Sequence, residues 1–130
     1  MFSKEVILTQ YAPQPIGPYS QAVMIKNAQN VLYISGQIPI NPSSGKIVEG
    51  DIAQHTQQVM DNLSAILKEA DMDFSHIVKT TIFLTDMDDF SLVNQVYSTA
   101  FSAHPPARET VAVKALPAGA RVEISAVAIK

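Results

Sequence analysis

The chain has 130 residues and a mass of 14.1 kDa, with 47% hydrophobic residues and a mean hydropathy of +0.12. This is the size of one domain, and the apolar content excludes a disordered chain, which lacks the residues to build a core. Nine basic and twelve acidic residues give a net charge of −3, which argues against a nucleic-acid-binding protein because such proteins need clustered positive charge.

The first third of the chain predicts three strands. Lys4–Leu8 is a short strand candidate, and the segments Tyr19–Lys26 and Asn30–Ser35 are rich in the Val, Ile and Tyr residues typical of strands. Tyr11–Pro18 separates the first two, because its three prolines and one glycine cannot form regular structure. Asn27–Asn30 predicts a hairpin turn between the second and third strands.

After a predicted loop over Gly36–Gly50, the strongest helix signal runs from Asp51 to about Asp71. Its apolar residues recur at spacings of three and four, which places them on one face. Asp51 followed by Gln54 three residues later matches a capping box at the start of the helix. The segment Ile77–Leu84 is dense in β-branched residues and predicts a fourth strand.

A second helix is predicted after a group of aspartates, and Pro105-Pro106 ends it. The apolar residues on one side of this helix are Phe90, Val93, Tyr97 and Phe101. Thr110–Leu116 and Arg121–Ile129 then predict two strands joined by Pro117–Gly119. The predicted order is therefore β-β-β-α-β-α-β-β, in a single domain over residues 1–130.

Two strand–helix–strand units predict right-handed crossovers and a mixed, partly parallel sheet with both helices on one face. The last strand carries apolar residues on both sides, with Val122 and Ile124 on one side and Val127 and Ile129 on the other. Strands of this kind need cover on both faces, and the two helices cover only one. The pattern favours a homo-oligomer that buries the bare face and holds any site at a subunit interface.

Several classes of site have no motif in this sequence. There is no cysteine, which excludes disulfides, thiolate nucleophiles and cysteine-ligated metals. The three histidines, His55, His76 and His104, are widely spaced and predict ordinary surface or partly buried side chains rather than a zinc site. No apolar run exceeds four residues, too short for a signal peptide or a membrane span, so we expect a cytoplasmic protein.

Three acidic residues, Asp86, Asp88 and Asp89, lie close together before the second predicted helix. Such a group could bind a cation. Acidic residues are, however, also favoured at a helix N-terminus, where they complement the helix dipole. We therefore expect these side chains to stabilise the start of the helix.

Two charged residues are candidates for chemistry. Arg108 follows a rigid proline pair and precedes a predicted strand, and its guanidinium suits a carboxylate ligand; a surface salt bridge with adjacent Glu109 is the alternative. Glu123 alternates with Val122 and Ile124, so partial burial would raise its proton affinity and make it a general acid or base. An exposed position on an edge strand is the alternative for Glu123, and the residues alone leave both questions open.

Short motifs follow one another along nearly the whole chain: Ile16-Gly17-Pro18-Tyr19-Ser20-Gln21, Ser35-Gly36-Gln37-Ile38-Pro39, Val78–Leu84, Pro106-Ala107-Arg108, Leu116-Pro117 and Val122-Glu123-Ile124. Together they resemble the RidA/YjgF family of enamine/imine deaminases, and the resemblance covers residues 5–130. It implies a chorismate-mutase-like α+β fold. It also implies a homotrimer with three clefts between subunits, in agreement with the bare sheet face.

The resemblance further implies an activity. Members of this family hydrolyse reactive enamines and imines, above all 2-aminoacrylate with its tautomer 2-iminopropanoate, and 2-iminobutanoate, to 2-keto acids and ammonia. They need no cofactor, and pyridoxal-phosphate dehydratases release their substrates. The expected partners are thus small imines and 2-keto acids, together with other copies of the chain, and neither nucleic acid nor a membrane is expected.

Matching motifs imply a role for individual residues. Arg108 would bind the substrate carboxylate with help from the Thr110 backbone, and Glu123 would hold and polarise the attacking water and transfer protons. The residues implied to line the cleft are Tyr19, Ser35, Gly36 and Asn94.

The chain departs from the family pattern directly after the arginine. Many members carry Ser-Cys there, whereas this chain has Glu109-Thr110. Hydrolysis by water needs no thiolate, so the activity need not be lost. Glu109 could weaken the binding of anionic substrates or could point to the other side of the strand. The second outcome is expected, because neighbouring residues on a strand face opposite ways.

Two other functions remain as alternatives. One is a non-catalytic small-ligand-binding or chaperone-like trimer that uses the same clefts. The presence of both Arg108 and Glu123 favours the enzyme over this binder. The other is RNA cleavage, an activity attached to parts of the family, which the net charge of −3 and the lack of a basic run disfavour.

Overall fold

The computed structural model describes residues 2–130. Its strands and α-helices are β1 (Ser3–Ile7), β2 (Ala22–Lys26), β3 (Val31–Gln37), β4 (Ile40–Asn41), β5 (Lys46–Ile47), α1 (Ile52–Glu69), β6 (Ile77–Leu84), α2 (Phe90–Ser98), β7 (Ala107–Ala112) and β8 (Val122–Ile129). Short 3₁₀ turns precede β6, α2 and β8. None of the helices within residues 2–130 combines the length and the apolar character needed to cross a bilayer.

The central sheet has four strands in the order β3-β8-β6-β7. β6 and β7 are parallel and are connected through α2, whereas β8 runs antiparallel to both of its neighbours. Because β3 and β6 both run antiparallel to β8, they are parallel to each other, as a crossover through α1 requires. The predicted mixed sheet is confirmed.

Both helices pack on one face of the central sheet. Asp51 caps α1 as predicted, since its carboxylate accepts a hydrogen bond from the Gln54 amide at 2.9 Å, and the Gln54 side chain accepts one from the Asp51 amide at 2.9 Å. The helix residues at the centre of the core include Val59, Leu63, Leu67, Val93 and Tyr97, and the sheet residues they meet include Ile34, Ile82, Leu84, Val122, Ile124 and Ala126. Burial of each large apolar side chain contributes about 1.5–3 kcal/mol.

The other face of the central sheet, here called the open face, points away from the helices. Tyr33 and Val31 of β3 lie on it and are 79% and 53% exposed. Lys79 and Glu109 form an ion pair there at 2.8 Å, and the Thr81 hydroxyl also donates to Glu109. Of the two apolar residues that the last strand was predicted to place on this face, Val127 is half-buried, whereas Ile129 is already buried within the single chain.

β2 and β3 do not form the predicted hairpin. β2 pairs with β1 in a separate two-stranded sheet, whereas β3 pairs with β8. The residues of the predicted turn bond instead to the chain directly after β8. The Lys130 carbonyl accepts hydrogen bonds from the Gln29 and Asn30 amides at 3.0 and 2.9 Å. The chain reverses at Asn27, whose φ of 59° is left-handed, but the prediction that the flanking strands pair is wrong.

The boundaries of the first strands also differ from the prediction. β1 lies one residue earlier than expected, and β2 begins at Ala22 rather than Tyr19. β3 continues through Gln37, and the region predicted as a loop contains the small antiparallel hairpin of β4 and β5. The loop prediction was wrong because two pairs of residues suffice for a hairpin, which is too short to leave a periodic pattern.

β7 begins at Ala107 and ends at Ala112, whereas the prediction was Thr110–Leu116. The strand begins directly after the proline pair because it pairs in parallel with β6 from Lys79 onward. Arg108 therefore lies within a strand and not ahead of one. The pairing of Arg108 with Thr80 of β6 fixes the face of the sheet that Arg108 occupies.

Of the acidic residues ahead of α2, Asp86 has the expected structural role, whereas the Asp89 side chain makes no capping hydrogen bond to α2. The Asp86 side chain accepts a hydrogen bond from the Asp88 amide at 2.9 Å and caps the 3₁₀ turn that leads into α2. Asp89 accepts two hydrogen bonds at 2.9 Å from one guanidinium nitrogen of Arg121. This ion pair joins the start of α2 to the start of β8.

One of the three histidines departs from the prediction. His55 of α1 is buried, 8% exposed, and its Nδ1 has no hydrogen-bond partner within residues 2–130. The prediction of an ordinary surface or partly buried side chain is therefore wrong for His55, because this position faces the core side of α1.

Candidate active site

Arg108 lies on β7, on the face of the sheet that the helices cover. It pairs with Thr80 of β6, which in turn pairs with Ala126 of β8. Thr80 and Ala126 are both buried, and directly paired residues share one face of a sheet. The Arg108 side chain therefore extends between the sheet and α2.

Three aromatic rings surround the Arg108 guanidinium. Its Cζ lies 5.4 Å from the centre of the Tyr19 ring, 5.7 Å from that of Phe90 and 5.2 Å from that of Tyr97, distances at which a ring face attracts a cation. Nη1 also donates a hydrogen bond to Asn94 Oδ1 at 2.7 Å. The structure thus brings together three of the predicted site residues: Tyr19, Asn94 and Arg108.

The loop that carries Tyr19 is fixed to the edge of β7. The Ser20 amide donates to the Pro106 carbonyl at 3.1 Å, and the Ser20 hydroxyl donates to the Pro105 carbonyl. Both bonds cross from the proline-rich segment to the residues just ahead of Arg108. The prolines on each side leave the backbone little freedom, so the Tyr19 ring is held against the guanidinium.

The charge of Arg108 has no carboxylate partner in the described part of the chain. The ion pairs within residues 2–130 include one for Arg121, held by Asp89, and none for Arg108. Burial lowers the pKa of Arg108, and nearby Tyr97 opposes this change; the guanidinium nonetheless stays charged. A half-buried cation without a counter-ion favours the binding of an anion, which would compensate its lost hydration.

A cavity of about 290 Å³ lies beside the guanidinium. It is lined by Ile16, Gly17, Tyr19, Phe90, Arg108 and Thr110. The Thr110 hydroxyl is buried and has no hydrogen-bond partner within residues 2–130, and Thr110 shares a sheet face with Arg108 because the two are two residues apart on a strand. Free donors beside an apolar cavity suit a small carboxylic acid.

Glu123 lies on the open face instead. It pairs with Phe83 of β6, whose neighbours Ile82 and Leu84 point into the core. Its side chain passes close to Gly36 of β3, and a β-carbon at Gly36 would overlap Cγ, Cδ and Oε2 of Glu123. No lysine or arginine among residues 2–130 forms an ion pair with this half-buried carboxylate.

The predicted site residues therefore form two groups on opposite faces of the central sheet. The arginine group consists of Tyr19, Asn94, Arg108 and Thr110. The glutamate group consists of Ser35, Gly36 and Glu123, in which Ser35 and Gly36 belong to the stretch where the register between β3 and β8 shifts. Because a sheet separates the groups, one small molecule cannot touch both within a single chain. A site that uses both needs two chains.

Phe90 and Tyr97 surround Arg108 but were not predicted as site residues. Their apolar spacing on the second helix predicts core positions. Asn94 lies between them, four residues after Phe90 and three before Tyr97, so all three share one helix face. A polar residue within an otherwise apolar helix face is the signal that would have identified the whole face as part of the site.

Glu109 points away from Arg108, as the alternation of a strand predicts. Hydrogen bonds from Lys79 and Thr81 on the open face lower the pKa of Glu109. The alternative of a salt bridge between Arg108 and Glu109 is therefore wrong. Glu109 occupies the opposite face from the cavity, so it places no carboxylate beside the guanidinium.

Known proteins are similar to this chain in sequence and in fold. The family model described as Endoribonuclease L-PSP matches residues 9–130. The chain is 48% identical over 127 residues to the human 2-iminobutanoate/2-iminopropanoate deaminase, covering 98% of this chain and 90% of that protein. It is 49% identical over 127 residues to a RutC family protein of Pyrococcus horikoshii, covering 98% of each.

A solved structure is similar over the same range. The crystal structure of YyfA from Yersinia pestis, a protein of the conserved Rid family, is 50% identical, has a TM-score of 0.75, and is matched over 98% of this chain and 100% of that one. With the family model matching residues 9–130 and identities near one half over nearly full length, the chain belongs to the Endoribonuclease L-PSP family, the family also called RidA/YjgF.

Proposed function

We propose that this protein is a deaminase that hydrolyses small 2-imino acids, such as 2-iminopropanoate and 2-iminobutanoate, to 2-keto acids and ammonia without a cofactor. The observation that carries the proposal is Arg108, a half-buried guanidinium without a carboxylate partner within residues 2–130, beside a cavity of about 290 Å³. A substrate carboxylate would supply the missing counter-ion. The name of the human relative, 2-iminobutanoate/2-iminopropanoate deaminase, supports the choice of substrate.

Arg108 binds the carboxylate end of the substrate. Its planar guanidinium can donate two parallel N–H bonds to the two carboxylate oxygens. Asn94 accepts from Nη1 at 2.7 Å and thereby limits rotation of the guanidinium. Thr110, two residues along the strand, is placed to bind the same end of the substrate.

Glu123 of a second subunit activates the water. The carboxylate accepts a proton as the water oxygen forms a bond to C2 of the iminium, and the C=N electron pair moves to nitrogen. The proton then passes to the nitrogen, Glu123 accepts the hydroxyl proton as the C–N bond breaks and the C=O bond forms, and the departing ammonia takes that proton from Glu123 and leaves as ammonium. One protonated imino acid and one water give one 2-keto acid and one ammonium ion. An enamine such as 2-aminoacrylate enters this sequence after protonation at C3.

A closed homo-oligomer, which we propose to be a homotrimer, joins the two groups. A neighbouring chain that covers the exposed Tyr33 and Val31 on the open face would lie next to Glu123. Ile16 is 95% exposed although it lines the Arg108 cavity, and an apolar side chain in that position also favours cover by another chain. Each site would then contain the arginine group of one chain and the glutamate group of the next.

A coupled assay tests the proposed activity. A pyridoxal-phosphate serine or threonine dehydratase generates the imine, and release of the 2-keto acid is followed with and without this protein. We expect faster release in its presence. If release is unchanged although calorimetry shows that the protein binds pyruvate, the protein is a binding module and not an enzyme.

Mixing two inactive variants tests the shared site. We expect Arg108→Ala and Glu123→Gln chains, unfolded together in equal amounts and refolded, to recover roughly a quarter of wild-type activity, because about three quarters of random trimers contain both variants and one of the three sites in each is intact. The activity of the mixture is compared with that of each variant alone in the coupled assay.

Each variant refolded alone serves as the control and should stay at its own low activity. Light scattering of the mixture and of the wild type should give about three times the monomer mass of 14.1 kDa. A mixture no more active than its parts, or a wild type that scatters as a monomer, would show that the two groups do not form a shared site.

A further inference from the structure

A buried pair of hydroxyl groups lies next to Arg108. Tyr97 of α2 is fully buried, and its hydroxyl is 2.7 Å from the hydroxyl of Thr80 on β6, which is 1% exposed. Burial raises the pKa of Tyr97 to about 12, so the phenol keeps its proton at neutral pH. Buried polar groups require partners, and these two hydroxyls supply them for each other.

Both members of this pair are connected to the guanidinium. The Tyr97 ring lies 5.2 Å from Cζ of Arg108, and Thr80 is the residue of β6 that pairs directly with Arg108. The Tyr97 ring also packs against the Phe101 ring, with 4.8 Å between the two ring centres. The hydrogen bond therefore connects the Tyr97 ring, which lies beside the guanidinium, to β6. This strand is the neighbour of β7, which carries Arg108.

We propose that Thr80 and Tyr97 are positioning residues that set the orientation of the Arg108 guanidinium toward its carboxylate ligand. Bidentate binding requires the plane of the guanidinium to align with the plane of the carboxylate. A small tilt of the Tyr97 ring would rotate the guanidinium out of this alignment and weaken carboxylate binding. Asn94 and Tyr97 lie on the same helix, but the hydroxyl pair also links that helix to the sheet. The inference depends on the proposed function only for the identity of the ligand.

A structural role and a positioning role predict different results when both hydroxyls are removed. Removing one leaves the other buried and unsatisfied, which destabilises the fold, whereas removing both is nearly neutral for stability. If the pair only stabilises the fold, ligand affinity recovers together with stability in the double variant. If the pair orients Arg108, stability recovers and affinity does not.

The variants are Tyr97→Phe, Thr80→Val, the double variant and Thr80→Ser, which keeps the hydroxyl. We expect the affinity for 2-oxobutanoate, measured by calorimetry, to fall about three- to tenfold in both single variants and in the double variant, the range for loss of one hydrogen bond. Thr80→Ser should retain it. In the coupled assay the KM should rise by the same factor and kcat should change little.

Thr56→Val is the matched control. Thr56 is also fully buried, and its hydroxyl donates to the Ile52 carbonyl within α1 at 2.8 Å. Its loss should lower the free energy of unfolding and leave the affinity for 2-oxobutanoate unchanged.

Arginine Nε–H signals in an NMR spectrum give a readout that needs neither ligand nor activity. The chain contains two arginines, Arg108 and Arg121, and Arg121 is held by Asp89. We expect the Arg108 signal to shift or broaden in the double variant and that of Arg121 to stay unchanged. A protein inactive in the coupled assay would refute the deaminase proposal but leave this test intact. An unchanged Arg108 signal with wild-type affinity in the double variant would overturn the positioning role.

Discussion

Replacing Glu123 by glutamine is expected to lower the turnover of 2-iminobutanoate by about 10²–10⁴-fold, while the affinity for pyruvate changes little. Glutamine keeps the shape and hydrogen-bonding capacity of the side chain but cannot accept a proton from the attacking water. Pyruvate is an unreactive keto acid, and its carboxylate would be held by Arg108 of another chain. The coupled assay measures turnover, and calorimetry measures affinity.

Gly36→Ala is the companion variant. It keeps the Glu123 carboxylate but moves it, because the added β-carbon overlaps that side chain; since a flexible side chain can rotate away, the fold should survive. Turnover should fall and pyruvate affinity should persist, as in Glu123→Gln. Equal loss of turnover and affinity in Glu123→Gln would instead assign Glu123 to organising the cleft or the subunit interface. Loss of neither would mean that another group activates the water or that the site only binds.

Arg108→Ala is expected to lower turnover and keto-acid affinity together, each by at least about 30-fold. Removing one partner of a desolvated charge pair costs about 2–5 kcal/mol, and 1.4 kcal/mol is about tenfold. The fold should persist, because no carboxylate within residues 2–130 loses an ion-pair partner. Arg108→Lys should recover little, since an ammonium cannot form the bidentate contact. The same assay and calorimetry measure both variants.

Arg121→Lys is the matched control for this experiment. Arg121 is the other arginine of the chain and belongs to the ion pair with Asp89, outside both groups of site residues. It should retain turnover and pyruvate affinity. Near-normal turnover in Arg108→Ala would show that the carboxylate is bound elsewhere.

Much of the fold could be predicted because its signals are local. The apolar stripe and capping box of α1 and the β-branched run of β6 lie within single segments, and the structure confirms both elements. The pairing of β3 was mispredicted because its partner, β8, lies at the other end of the chain. The start of β7 was mispredicted for a similar reason, since parallel pairing with β6 decides it. Contacts of long sequence separation leave no periodic pattern.

In the candidate site, too, local features could be predicted and features that depend on distant strand pairing could not. Alternation along one strand is local, and it placed Glu109 on the opposite side from Arg108 as expected. The arrangement of Arg108 and Glu123 on opposite faces depends on the registers of β7 with β6 and of β6 with β8. Neither register can be obtained from one sequence. Phe90 and Tyr97 of α2 were not predicted to lie beside Arg108. Apolar residues at helical spacing are typical both of core positions and of the wall of a cavity, so the pattern does not distinguish the two.

The guanidinium of Arg108, which has no ion-pair partner within residues 2–130, also has a consequence for folding stability. Burying part of a cation without a counter-ion lowers the stability of the ligand-free protein, and a leucine or methionine at this position would pack among Tyr19, Phe90 and Tyr97 without that penalty. Selection for a robust fold alone would therefore remove the arginine. Any anion that fills the cavity returns the lost stability, because a ligand that binds only the native state shifts the folding equilibrium toward it. The protein with an anion bound at Arg108 is therefore expected to be more stable toward unfolding than the ligand-free protein.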